Sequence, residues 1–138
     1  MLKAILIDDE PDCIRLLSLQ LKEHCPQVSI LGQYTTSDDG LQAIRTMNPD
    51  VVFLDIEMPG MTGVDLVRSF ANPSFRVVFV TAYDDYAVEA FRLSAVDYLL
   101  KPLDMDRFKL AVDRALQRRK MEEGNIEDLL SGMHTPPA

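Results

Sequence analysis

Val51-Val52-Phe53-Leu54-Asp55 is the feature that most limits what this chain can fold into. An unbroken apolar run bounded by turn formers suits a strand buried on both faces, and such strands belong to parallel sheets covered by helices. The run ends on a carboxylate and passes at once into Ile56-Glu57-Met58-Pro59-Gly60. A strand closing in this way puts Asp55 at its carboxyl end, where open α/β sheets carry their chemistry. Three other stretches have the same form: Leu6-Ile7-Asp8-Asp9-Glu10, Val78-Phe79-Val80-Thr81-Ala82 and Tyr98-Leu99-Leu100-Lys101-Pro102. The rest of the chain reads as scaffold that brings these four strand ends together.

Taken in order, strands are expected over 3–7, 28–34 (with Gly32 a weak point), 51–54, 76–80 and 95–99. The first helix begins with Pro11 in its first turn and ends before His24. Ile14, Leu17 and Leu21, with Leu16 and Leu19 beside them, give it a broad apolar face. Ser37 or Asp38 caps the second helix, which runs through Leu41, Ile44 and Met47 to Asn48-Pro49. A short third helix spans 64–70, in a loop where Gly60 and Gly63 supply backbone freedom. A fourth spans 85–92, with Ala87, Val88 and Phe91 as its contact face. Asp104 caps the last, in which Phe108, Val112, Ala115 and Leu116 recur at helical spacing. These apolar positions fit a homodimer face or an intramolecular core equally well. Gly124 ends that helix, and residues 122–138 read as a linker or tail after a domain at 1–121. Strands alternating with helices at this pitch imply an α/β fold with a parallel sheet covered on both sides.

The chain has 138 residues, enough for one ordinary domain. Its 22 acidic against 14 basic residues leave a net charge of −8, which repels phosphate backbones and disfavours nucleic-acid binding by this domain. Cys13 and Cys25 share the first helix about 18 Å apart, too far for a disulfide, and neither has zinc-site spacing. They read as buried or half-buried thiols. No signal-peptide pattern opens the chain and no apolar run reaches membrane length, so a cytoplasmic protein without membrane insertion is expected.

Asp8, Asp9 and Asp55 would lie at neighbouring strand ends, where like-charge repulsion has to be offset. Magnesium, which prefers hard oxygen ligands, is the expected offset, although any one of these carboxylates can also serve as a helix cap. Lys101 can bind a phosphate or solvate a surface. Thr81 can pair within the sheet or donate its hydroxyl to an anion. A lysine and a hydroxyl facing a metal compensate a phosphoryl group from both sides, an arrangement suited to a carboxylate nucleophile that becomes an acyl phosphate.

In these residues the chain closely resembles the receiver domain of two-component response regulators. The resemblance is carried by Asp8-Asp9-Glu10-Pro11, by Leu54-Asp55-Ile56-Glu57-Met58-Pro59-Gly60-Met61-Thr62-Gly63, by Val80-Thr81-Ala82 and by Asp97-Tyr98-Leu99-Leu100-Lys101-Pro102. It implies a flavodoxin-like, doubly wound five-stranded parallel sheet in order 2-1-3-4-5, an order for which a receiver protein is itself a standard example. It further implies that Asp55 accepts a phosphoryl group from a phosphohistidine on a sensor histidine kinase. Mg2+ would be held by Asp9, Asp55, the backbone carbonyl of Glu57 and, directly or through water, Asp8. Lys101 and Thr81 would contact the phosphoryl oxygens, and Tyr98 would be the aromatic switch.

Phe79 through Ala87 and Asp97 through Pro102 resemble the LytTR (LytR/AlgR) class, in which a DNA-binding domain follows the receiver. Contact with DNA would then come only through a C-terminal output domain absent from this chain. Such a domain is primarily a signalling switch rather than an enzyme. The competing readings are a stand-alone receiver, a magnesium-dependent phosphotransferase using Asp55 for turnover, and a flavodoxin-like cofactor carrier. The last lacks a glycine-rich fingerprint after the first strand.

Overall fold

The computed structural model describes the backbone of residues 1–134 and the side chains of residues 1–122. In chain order the elements are β1 (Leu2–Ile7), α1 (Pro11–His24), β2 (Val28–Tyr34), α2 (Ser37–Met47) and β3 (Val51–Leu54). They continue with α3 (Gly63–Arg68), β4 (Arg76–Thr81), α4 (Ala87–Arg92), β5 (Asp97–Leu100) and α5 (Met105–His134). The strands form one sheet in order β2-β1-β3-β4-β5, and every pairing is parallel. Chain direction along the sheet therefore reverses between β1 and β3, which opens a crevice outside their carboxyl ends.

The apolar runs divide by alternation, because successive strand side chains point to opposite faces. Ala4, Leu6, Val51, Phe53, Val78 and Val80 join Leu17 and Leu21 of α1 and Phe108, Ala111, Val112 and Ala115 of α5 in one core layer. Ile5, Ile7, Val52, Leu54, Val77 and Phe79 join α2, α3 and Ala90 of α4 in the other. Helices thus cover both faces. Phe53 and Phe108 meet at 5.7 Å between ring centroids across the first layer. Loss of a ring such as Phe108 would cost about 3–5 kcal/mol in transfer and cavity terms.

Several local expectations are corrected. Leu16 and Leu19 of α1 are exposed, and Ser18 is buried beside Ile14, Leu17 and Leu21, so the buried stripe is narrower than the leucines suggested. The cap of α2 is Thr36, whose hydroxyl accepts from Asp39 N at 3.2 Å; Ser37 is instead buried and donates to the Met61 carbonyl at 2.7 Å. At the other end Asn48 adopts a left-handed φ of 48° and closes α2 before Pro49. The weakness at Gly32 takes the form of a register shift, in which Ala4 faces Ile30 and Ile5 faces Gly32.

The largest correction concerns α4. Ala87, Val88 and Phe91 were expected to face the protein, but all three are exposed, Val88 at 63% and Phe91 at 84%. The helix is only six residues long and buries Ala90 alone, with Tyr86 and Leu93 packed at its ends. In so short a helix two opposite faces can both look apolar, and the neighbouring loops decide which one turns in. At the end of the chain, α5 runs through Gly124 to His134. Glycine weakens a helix interior by about 1 kcal/mol without obliging it to stop. Pro136 and Pro137, part of the tail reading, lie outside the described residues. Phe108, Val112 and Ala115 are spent on the core, so they do not supply a homodimer face. No described helix is long and apolar enough to cross a membrane.

Candidate functional site

Strand register assembles the predicted residues. Ile7 pairs with Leu54, and Asp55 N donates to the Ile7 carbonyl at 3.0 Å, so Asp8 and Asp55 leave adjacent strands at one level. Thr81 pairs with Leu100, and Lys101 N donates to the Thr81 carbonyl at 2.8 Å, which starts the lysine from the far side of the same rim. The Lys101–Pro102 peptide bond is cis. Each of Asp8, Asp9 and Asp55 offers a carboxylate oxygen, and these lie within 4.8 Å of one another.

Lys101 spans the cluster: its Nζ lies 2.7 Å from Asp8 Oδ2 and 3.3 Å from Asp55 Oδ2. Backbone amides take up the other oxygens, Glu10 N donating to Asp8 Oδ1 at 2.9 Å and Ile56 N to Asp55 Oδ1 at 2.7 Å. Burial and the neighbouring Asp8 charge push the Asp55 carboxyl above its ordinary value, against the pull of Lys101, the Ile56 amide and the Thr81 hydroxyl. Burial and Asp8 likewise raise Asp9. Lys101 is itself partly desolvated, yet its bond to Asp8 and the Asp55 charge hold it firmly protonated. One ammonium against three carboxylates leaves the rim short of positive charge. The donors are hard oxygens, gathered closely, and some remain available, so the residues fit a small divalent cation such as magnesium.

The turn after β3 is built around close backbone approach. A Cβ on Gly63 would stand 2.2 Å from the Asp55 carbonyl oxygen, and Gly63 N donates to the Ile56 carbonyl at 2.8 Å. Gly63 is therefore needed for contact with the carboxylate-bearing residue itself, whereas Gly60, at φ +83°, supplies the left-handed turn. A cavity of about 420 Å³ between α1 and the loop after β5 opens beside Asp8 and Lys101, walled by Cys13, Leu17, Gln20, Val80 and Leu103.

The remaining predicted residues take different places. Thr81 is fully buried, and its Oγ1 accepts from Tyr83 N at 3.4 Å. Tyr98 is half-buried, and its phenol donates to the Tyr83 carbonyl. The Glu57 carboxylate is not part of the acidic cluster and accepts from the Tyr86 phenol. That bond, together with partial desolvation and nearby acidic charge, pushes the Tyr86 phenol up to about 12, so it remains a donor at neutral pH.

Two arrangements escaped the sequence reading. One is this Tyr86–Glu57 bond. The other is a clamp at the start of β5, where Asp97 accepts from Arg107 Nη1 and Nη2 at 2.5 Å each and from Arg114 Nη1 at 2.8 Å. The spacing of Arg107 and Arg114, two turns apart on α5, was a legible sign of a shared face; nothing local pointed that face at Asp97.

With the geometry in view, the likeness to known proteins is informative. The response regulator receiver domain family matches residues 4–113. An uncharacterized response regulatory protein of Vibrio cholerae is 45% identical over 125 residues, covering 89% of this chain and 52% of that protein. Transcriptional regulatory protein BtsR of Escherichia coli K12 is 38% identical over 128 residues, covering 91% of this chain and 53% of its own. This chain thus spans about half the length of those relatives. The crystal structure of the response regulatory domain of protein mrkE from Klebsiella pneumoniae superposes with a TM-score of 0.78 at 33% identity, over 86% of this chain and 98% of that one. A receiver sheet, an acidic rim bridged by a lysine and a family match over most of the chain lead to one conclusion: the protein belongs to the response regulator receiver domains, the phosphoacceptor switches of two-component systems.

Proposed function

We propose that Asp55 is the phosphoacceptor, taking a phosphoryl group from a phosphohistidine on a cognate sensor kinase. The observation that carries this reading is the Asp55 carboxylate, 6% exposed at the end of β3, with Lys101 Nζ at 3.3 Å and the Asp8–Asp9 pair alongside. A carboxylate oxygen attacks phosphorus, the P–N bond to the donor imidazole breaks, and the imidazole leaves with its electron pair and takes up a proton. The product is an acyl phosphate on Asp55.

Asp8, Asp9, Asp55 and the Glu57 carbonyl are the residues we assign to hold Mg2+. Bound there, the ion would neutralise oxygen charge that develops during transfer. Lys101 is freed from its bond to Asp55 as that oxygen becomes esterified, and it turns to the phosphoryl oxygens. The Thr81 hydroxyl, which accepts from Tyr83 N and bonds to Asp55, turns its donation to them. Tyr98 follows as the switch, since its phenol is tied to the same loop through the Tyr83 carbonyl. Charge added in the pocket thereby becomes a packing change at α4 and β5.

We further infer that residues 1–121 act as the receiver and that the segment 122–138 leads to a LytTR-type DNA-binding output domain in a longer cytoplasmic regulator. The relatives' length and the transcriptional role in the name of BtsR support an output domain. The segments from Phe79 to Ala87 and from Asp97 to Pro102 support the LytTR class. Acetyl phosphate with magnesium, followed by intact-mass analysis and peptide mapping, tests the core of this proposal. The adduct should map to Asp55 and vanish in Asp55→Asn; an adduct that persists in that variant would sink the assignment.

A further inference from the structure

We propose that Tyr86 is the positioning residue through which the Asp55 loop governs α4, by way of its hydrogen bond to Glu57. The inference rests on the phosphoacceptor reading above and adds a route by which the pocket reaches the helix.

Burial holds α4 only weakly. Ala90 is its one buried residue, while Ala87, Val88, Phe91 and Arg92 face solvent. A helix with so little buried surface takes its position from what grips its ends. Tyr86 occupies the N-cap position, yet its side chain makes no capping bond. Its phenol reaches instead to the carboxylate of Glu57, 29 residues earlier in the chain, while its carbonyl accepts from Ala90 N at 3.0 Å. One residue therefore holds the first turn of α4 with its backbone and the turn after β3 with its side chain.

Glu57 is placed to report on the pocket. It lies two residues beyond Asp55 in the same turn, and its carboxylate stands outside the acidic cluster, engaged by Tyr86. A shift of that turn on loading or phosphorylation moves the acceptor of the Tyr86 bond. Among the described residues the loop between β4 and α4 has other side-chain ties, the Tyr83 N to Thr81 Oγ1 bond at 3.4 Å, the Tyr98 phenol to the Tyr83 carbonyl, and a bond between the Tyr98 phenol and the Tyr86 backbone. These tie the loop to the ends of β4 and β5 and not to the turn after β3. Among the described side-chain hydrogen bonds, the phenol–carboxylate bond is the one that joins the phosphorylation turn to the beginning of α4. Because its acceptor is ionised, it is stronger than a neutral pair.

Amide hydrogen exchange across residues 87–93, measured on the full 138-residue chain with magnesium and with or without acetyl phosphate, tests this. Tyr86→Phe should speed exchange of these amides by about tenfold before phosphorylation, the effect of losing one charge-assisted hydrogen bond. It should also remove their response to phosphorylation, although intact mass shows the adduct still forming. Glu57→Ala should reproduce the faster exchange before phosphorylation, the double variant should exchange no faster than either single one, and Glu57→Gln, which keeps an acceptor oxygen, should exchange more slowly than Glu57→Ala. A normal α4 response in Tyr86→Phe, or additive effects of Tyr86→Phe and Glu57→Ala, overturns the proposal. An adduct on the wild-type chain with no change in α4 overturns this inference alone. Absence of any adduct overturns the phosphoacceptor reading, and this inference with it.

Discussion

Asp55 and Asp97 are both buried carboxylates on one sheet, and their acidities move in opposite directions. Burial raises each of them. At Asp55 the Asp8 charge adds to burial and Lys101 does not make up the difference, so the carboxyl stays above its ordinary value. At Asp97 the hydrogen bonds from Arg107 and the Tyr98 amide, with the charges of Arg107 and Arg114, overcome burial and hold the carboxyl below it. Depth in the protein is therefore a poor guide to what an acidic residue does; the local balance of charge decides. The Asp97 clamp is electrostatically complete and ties β5 to α5. The rim around Asp8, Asp9 and Asp55 lacks positive charge, the condition of a site that takes a ligand.

The contrast can be broken most sharply by adding the ligand. Magnesium at a hundredfold excess over its Kd should stabilise the protein by about 2.7 kcal/mol, read from urea unfolding. Asp9→Asn should remove most of that gain, and Asp97→Asn should leave it intact. Equal gains in both variants would show that the rim is not the binding site.

Asp97→Asn probes the complete site. It strips two guanidinium groups of their partner, at an expected cost of about 2 kcal/mol. That lies below the range for fully buried pairs because Arg107 and Arg114 keep 42% and 46% of their side chains in water. Chemical denaturation with and without magnesium measures the loss, which should be the same in both conditions.

The smallest effect is in the pH dependence without magnesium. Asp55 and Asp9 have folded-state values above their unfolded ones, so the unfolded chain releases these protons first and stability falls as pH rises through that interval. Asp97 has the opposite sign: its contribution is present above the unfolded value and is lost as pH falls through the lower folded value. In chelator, Asp55→Asn should therefore be more stable than wild type at neutral pH, with the gap opening above about pH 4. A gap that instead widens toward acid would reverse the assignment of strain to the rim.

How far the molecule could be read in advance depended on how local the cause was. β3 was legible to the residue because a strand buried on both faces announces itself as a short apolar run, whereas β2, a half-buried edge strand, was bounded by Pro26 before it and the Thr36-Ser37 helix start after it. Asp8, Asp9, Asp55, Thr81 and Lys101 were legible as a set because each follows or ends such a run, and parallel strands all deliver their carboxyl ends to one rim. The face of α4 was misread because Val88 and Phe91 are as apolar as any core residue. The choice of Thr36 over Ser37 as a cap turned on a long-range bond from Ser37 to Met61, which no local pattern contains.

The sequence by itself determined the sheet class and which side chains would meet at one rim, since apolar run length and turn residues act over a few neighbouring positions. Only the tertiary structure decided that Glu57 turns to Tyr86, that Arg107 and Arg114 close on Asp97, and that α4 shows its apolar side to water. Those outcomes depend on the distance between groups far apart in the chain, and that distance exists only once the sheet has set its register and the helices have packed upon it.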